Sequence, residues 1–127
     1  TLDPALVRSG NFEVESGYAA GRELLDRPDR PTGIFAGSDM QAIGALRAAQ
    51  ELGLRVPDDV SVVGYDDLPL AQWTAPPLTT VRQPLREMGT TAARMVLDLA
   101  AGRSPTAPGV NLATELVVRE STAPPPP

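Results

Sequence analysis

The sequence predicts an α/β protein: a parallel sheet with helices on both faces. Two observations carry this. Short apolar, β-branched runs alternate with longer stretches whose apolar residues recur at helical spacing. The strongest run, Ser61-Val62-Val63-Gly64-Tyr65, has no in–out alternation, which suits a parallel strand covered on both sides.

Along the chain, Leu6-Val7 reads as a weak first strand ending in Arg8-Ser9-Gly10-Asn11. A helix from about Val14 to Asp26 follows, with Tyr18, Leu24 and Leu25 on one face and Pro28 as its stop. Thr32 to Ala36 is a short buried strand broken by Gly37. Ser38 or Asp39 then serves as N-cap of a helix to Leu52, with Met40, Ile43, Leu46 and Ala49 at helical spacing and Gly53 as the expected C-terminal glycine. Val56-Pro57-Asp58-Asp59 is a turn into the Ser61–Tyr65 strand, which Asp66-Asp67 ends. Leu68 to Pro77 is a loop with room for one helical turn, and Leu78 to Val81 is a fourth strand. Pro84 suits the first turn of a long helix carrying Leu85, Met88, Ala92, Met95, Val96 and Leu99 on one stripe, capped by Gly102. That stripe is too apolar to be left in water. After a Pro/Gly-rich loop, Leu112 and Leu116 to Val118 read as one or two final strands, and Pro124–Pro127 as an extended tail.

Composition excludes several chemistries. The 127 residues are 42% hydrophobic and 21% charged, which argues for a globular domain. There is no Cys and no His, so thiolate catalysis, zinc ribbons and Ser-His-Asp triads are out. Eleven basic against sixteen acidic residues give a net charge of −5, poor for holding a phosphate backbone. No run has the length of a membrane span or the form of a secretory signal. A chain that begins at Thr1 without Met and ends in four prolines reads as a piece of a longer protein.

In parallel sheets ligands bind beyond the carboxyl ends of strands. Here those ends carry Asn11-Phe12, Ser38-Asp39, Asp66-Asp67 and Arg82-Gln83. A few polar groups with one flat apolar ring compose a small-molecule cleft wall. Each has a plainer reading: Ser38 or Asp39 as an N-cap, Asp66-Asp67 as a strand end, Phe12 as core, Arg82-Gln83 as a solvated connector, Trp73 as packing or interface. Two carboxylates after a strand also suit a hard cation, so a magnesium-dependent α/β enzyme using Asp66 and Asp67 is an alternative. No phosphate-cradling glycine motif is present.

The residues resemble a known family. Arg30 to Ala49, Gly53 to Asp67, Pro76 to Pro84, Met88-Gly89 and Glu115 to Ser121 are similar, in order and spacing, to five signatures of LacI/GalR-type bacterial repressors. The resemblance runs from Leu6 to Thr122. It implies one lobe of a two-lobed, periplasmic-binding-protein-like core. Residues 1–83 would form most of the second lobe, 84–110 a crossing segment and a helix of the first lobe, 111–122 the last strands and 123–127 a tail. The helix-turn-helix and most of the first lobe, which supplies the opposite cleft wall, would lie outside the chain. By motif, Phe12 would stack on an effector, Ser38 and Asp66 would take its hydroxyls, and Gln83 would lie at a hinge crossing. The implied ligand is a sugar, with a nucleobase stacked on Phe12 as the other option. The implied dimer contact involves the Ser38–Leu52 helix and the Leu68–Pro77 loop, with Ile43, Leu46 and Trp73. No catalytic residue, metal or cofactor is implied, and the compartment is the cytoplasm. An extracytoplasmic sugar-binding protein of the same fold is the related alternative.

Overall fold

A computed structural model describes residues 3–103 and 109–125. The chain forms two compact units, Thr1–Arg82 with Leu116–Pro127, and Gln83–Glu115.

In the first unit, Val14–Leu25 is helix α1, Gly33–Phe35 strand β1, Asp39–Glu51 helix α2, Ser61–Asp66 strand β2 and Thr79–Arg82 strand β3. Glu115–Val117 is β4, and the sheet order is β1-β2-β3-β4. The β1–β2 and β2–β3 pairs are parallel, with Ile34 beside Val62 and Gly64 beside Thr80. Helix α2 starts at the N-cap Ser38 and stops at Gly53, whose φ of 72° lets Leu54 N–H reach back to the Ala49 carbonyl at 2.9 Å.

The core lies between α2 and one sheet face: Ala42, Ala45 and Leu46 of α2 pack with Val62, Leu78 and Ala71. Helix α1 packs on α2 through small residues. A Cβ on Gly44 would lie 2.1 Å from the Val14 carbonyl oxygen and 2.4 Å from the Tyr18 nitrogen, so the two backbones touch there. At the amino ends of β2 and β3, Ser121 is fully buried: its hydroxyl donates to the Val62 carbonyl (2.6 Å) and accepts from Thr79 N–H (2.8 Å), fastening the C-terminal segment to both strands.

Several local expectations change. Leu6-Val7 is not a strand: Pro4–Leu6 is a 3-10 turn, and a cavity of about 450 Å³, lined by Leu6, Val7, Ala20, Leu24, Ile34 and Phe35, separates this segment from β1. β1 is the sheet edge, but its open ladder lies across that cavity, and Val7 N–H donates to the Pro4 carbonyl at 3.1 Å instead. β2, uniformly apolar in sequence, is buried in alternation, with Val62 and Gly64 inside and Val63 and Tyr65 half-buried. Tyr65 meets Phe35 edge-on across that second face, ring centroids 6.4 Å apart. The loop after β2 contains the 3-10 helix Pro69–Trp73. Of the final strands only β4 forms, and Leu112 is not in one.

In the second unit Leu85–Ala100 is helix α3, with Pro84 at its N-cap position and Gly102 at φ 73° beyond its end. No residue of α3 is buried: Leu85, Val96 and Leu99 are each more than half exposed. Part of the Pro/Gly-rich loop (104–108) and of the proline tail (126–127) falls outside the described residues.

Candidate functional site

The segment before α1, the end of β1 and the start of α2 meet around Phe12. Its φ is 68° and its ring is 65% exposed. A left-handed φ on a bulky residue is an outlier that surroundings must enforce. Ser38 Oγ donates to the Phe12 carbonyl at 3.1 Å, Asn11 N–H donates to Ser16 Oγ at 3.3 Å, and Gln41 Nε2 reaches the same hydroxyl at 3.3 Å. Phe12 is thus not the core residue its composition suggests. Its ring stands in solvent on a built backbone.

Ser38 and Asp39 divide their work against the family pattern, which suggests that Asp39 caps the helix while Ser38 faces the ligand. Ser38 is buried and is the N-cap, its Oγ accepting from Gln41 N–H at 3.1 Å while it donates to Phe12. Both ends of its hydroxyl are engaged with the protein. Asp39 turns away from the helix into the sheet and is fully buried. Its Oδ1 accepts from Thr80 Oγ1 at 2.5 Å and its Oδ2 from Leu68 N–H at 2.6 Å. Burial pushes the Asp39 carboxyl above the usual aspartate value. The bonds from Thr80 and Leu68 work against that rise, and the nearby charges of Asp66 and Asp67 add to it.

Asp66 ends β2, half-buried, with φ 117°, and Asp67 follows with φ 58°. Asp67 is clamped: Arg119 Nη2 donates to Oδ1 at 2.6 Å and Arg82 Nε to Oδ2 at 2.7 Å. Burial works against its charge, but the two guanidiniums together outweigh that and hold its carboxyl below the usual range. Asp67 is therefore committed to two arginines and Asp39 to two hydrogen-bond donors. Among the described residues no three acidic groups form a metal cluster.

The structure brings Phe12 and Ser38 together and, through the adjoining Asp39, ties the turn after Asp66 to the same helix start. Gln83 opens the second unit, its carbonyl accepting from Leu85 N–H at 2.9 Å. Of the expected interface residues, Trp73 is 78% exposed and Ile43 half-buried, whereas Leu46 is buried in the core and closes the floor of a shallow cavity of about 610 Å³ with Ile43, Val56 and Pro76. Sequence reasoning missed Thr80, Arg119 and the inward turn of Asp39. One signal was available: Gly64 interrupts the strongest strand, and such a glycine marks a close approach. A Cβ on Gly64 would lie 2.3 Å from Asp39 Oδ1.

A two-layer half-sheet with an aromatic and a carboxylate at its carboxyl edge is the frame of a small-molecule binding lobe. The model of the periplasmic binding protein-like domain matches residues 2–122, and the chain belongs to that family. It is homologous to the effector-binding core of LacI/GalR-type regulators. It is 44% identical over 117 residues to the transcriptional repressor PurR of Escherichia coli, covering 92% of this chain and 34% of the repressor. Among solved structures, a complex of the transcriptional regulator CelR with cellobiose superposes with a TM-score of 0.89 at 46% identity, over 95% of this chain and 37% of that one. The transcription regulator CcpA of Lactococcus lactis superposes with a TM-score of 0.88 at 32% identity, over 97% and 45%. The chain thus spans about a third of the length of the curated relatives it matches.

Proposed function

We propose that the chain is the effector-binding part of a LacI/GalR-type transcriptional regulator, that its effector is a sugar, and that Phe12 and Asp66 are its main ligand contacts. The observation that carries this is the exposed Phe12 ring on an enforced left-handed backbone, beside a helix start that also anchors the turn following Asp66. An ionised carboxylate accepts two hydroxyl donors, and a flat ring covers the C–H face of a pyranose. The cellobiose complex of CelR supports a sugar over a nucleobase. Ser38 contributes by fixing Phe12.

The regulator works as a homodimer in the cytoplasm and reaches operator DNA through a helix-turn-helix that this acidic chain does not contain. The chain's role is to bind the effector rather than to catalyse: Asp39 and Asp67 are held by Thr80, Leu68, Arg82 and Arg119, and Asp66 is the carboxylate assigned to the ligand. Among the described residues no helix is long and apolar enough to cross a membrane. The test is calorimetric titration of the full-length protein with cellobiose and related sugars. Losing a charged partner of ligand hydroxyls costs about 1.5–3 kcal/mol, so Asp66→Ala should weaken binding roughly tenfold to a hundredfold. Wild-type affinity in both Asp66→Ala and Phe12→Ala refutes the site.

A further inference from the structure

We propose that Asp39 is a positioning residue: its buried carboxylate holds the Asp66–Leu68 turn, and so sets where Asp66 presents itself to a ligand. The proposal rests on the reading of Asp66 as a ligand contact and adds a residue that touches no ligand.

Three observations converge. First, the turn is built from residues that do not hold its shape unaided. Asp66 and Asp67 have φ of 117° and 58°, in the region that favours glycine, yet neither is glycine. Something must over-determine the backbone. Second, the turn is gripped directly after Asp66. Asp67 is fixed by Arg82 and Arg119, and the next backbone N–H, Leu68, donates to Asp39 Oδ2 at 2.6 Å. Third, the grip is referenced to the sheet and to the helix at once. Asp39 is the first residue of α2, and its other oxygen accepts from Thr80 on β3, the strand beside β2. Gly64, the register partner of Thr80, lacks the Cβ that would otherwise collide with Asp39 Oδ1. The carboxylate therefore spans helix start, neighbouring strand and turn.

The arrangement also joins the two ligand contacts. Ser38 fixes Phe12 through its carbonyl, and Asp39, the next residue, fixes the turn after Asp66. One dipeptide at a helix start sets the positions of the stacking ring and of the hydroxyl acceptor. An N-cap alone needs only Ser38, so helix capping does not explain the buried aspartate beside it.

The experiment is nuclear magnetic resonance on the full-length protein that carries this chain, comparing wild type, Asp39→Asn, Asp39→Ala and Asp66→Ala, with cellobiose as the added sugar. In Asp39→Ala the Leu68 amide should lose at least tenfold in exchange protection. The HN–Hα couplings of Asp66 and Asp67 should move away from their left-handed values, while the Val62 amide stays protected. Asp39→Asn keeps an oxygen for Leu68 N–H, and the Thr80 hydroxyl can turn to accept from its amide, so the couplings should be restored. Cellobiose affinity should follow the couplings, falling about tenfold in Asp39→Ala and returning to within about threefold in Asp39→Asn. Unchanged couplings and Leu68 protection in Asp39→Ala overturn the proposal. Altered couplings with wild-type cellobiose binding in Asp66→Ala instead overturn Asp66 as the contact and leave the turn's dependence on Asp39 standing. Should Asp39→Ala lose Val62 protection, the unmodified chain decides: the Leu68 and Asp66 amide shifts must follow the titration of the Asp39 carboxyl carbon, resolved from those of Asp66 and Asp67. Amide shifts that ignore it overturn the assignment.

Discussion

Gly44 sits where α2 touches the first turn of α1, directly after Phe12, so a single methyl there tests the link between packing and site. In Gly44→Ala the new Cβ would meet the Val14 carbonyl oxygen at 2.1 Å, the Tyr18 nitrogen at 2.4 Å and the Gly17 carbonyl carbon at 2.8 Å. All three are backbone atoms inside a helix, and none can rotate away. Ordinary contact begins near 3.4 Å. The helices must therefore separate by about 1 Å, in an interior where packing is as dense as a crystal. Overpacking of this kind costs about 1–3 kcal/mol or more. Moving the start of α1 also lengthens the 3.1 Å bond from Ser38 Oγ to the Phe12 carbonyl, worth about 1 kcal/mol. Against this, alanine gains about 1 kcal/mol over glycine in a helix interior. The net expectation is a loss of about 1–3 kcal/mol, read as a fall in the urea midpoint at unchanged slope. Gly89→Ala in α3 is the matched control. Nothing lies within 4 Å of a Cβ there, so the same change should stabilise the helix by up to about 1 kcal/mol. A Gly44→Ala chain as stable as wild type would refute the backbone contact between α1 and α2.

Phe12→Gly should separate binding from stability. Removing a mostly exposed ring from a left-handed position should leave the urea midpoint unchanged or slightly higher, while cellobiose binding by the full-length protein falls at least tenfold. The carboxyls should titrate in opposite directions around their usual value of 3.8: Asp39 above it, Asp67 below it, and Asp59, bonded to Arg55, down at about 2. By linkage, the stability from Asp67 and Asp59 is present above 3.8 and lost as pH falls through their lowered values. The contribution of Asp39 is present below 3.8 and lost as pH rises through its raised one. Carboxyl-carbon titration checks all three, and a common midpoint for Asp39 and Asp67 would contradict the burial and pairing described. Dimerisation through α2 and the Pro69–Trp73 helix should be weakened by Ile43→Asp and Trp73→Ala, by light scattering on the full-length protein. An unchanged mass in both moves the interface elsewhere.

Much of this molecule is written locally. Ser38 and Gly53 bracket α2 because a side-chain acceptor and a left-handed glycine answer the unpaired groups at helix ends, a need met within a few residues. The positions of β2 and α3 were legible because apolar patterning is a property of neighbouring residues, but their burial was not: β2 is buried in alternation rather than on both faces, and no residue of the α3 stripe is buried. The strand ends carrying Ser38, Asp66 and Gln83 followed from the same reading, whereas Phe12, expected at the end of a Leu6-Val7 strand, follows a segment that forms none. What each side chain does there depended on partners far away in sequence. Asp67 meets Arg119 across 52 positions, and Asp39 meets Thr80 across 41. Whether Ser38 or Asp39 caps α2 was undecided locally, since both types cap equally well. The hydroxyl of Thr80, the N–H of Leu68 and the bare Gly64 drew Asp39 inward. Leu6-Val7 shows the converse: two apolar residues suited to a strand form none, because a strand exists only where a neighbouring ladder offers its hydrogen bonds, and the edge of β1 lies across a cavity from them.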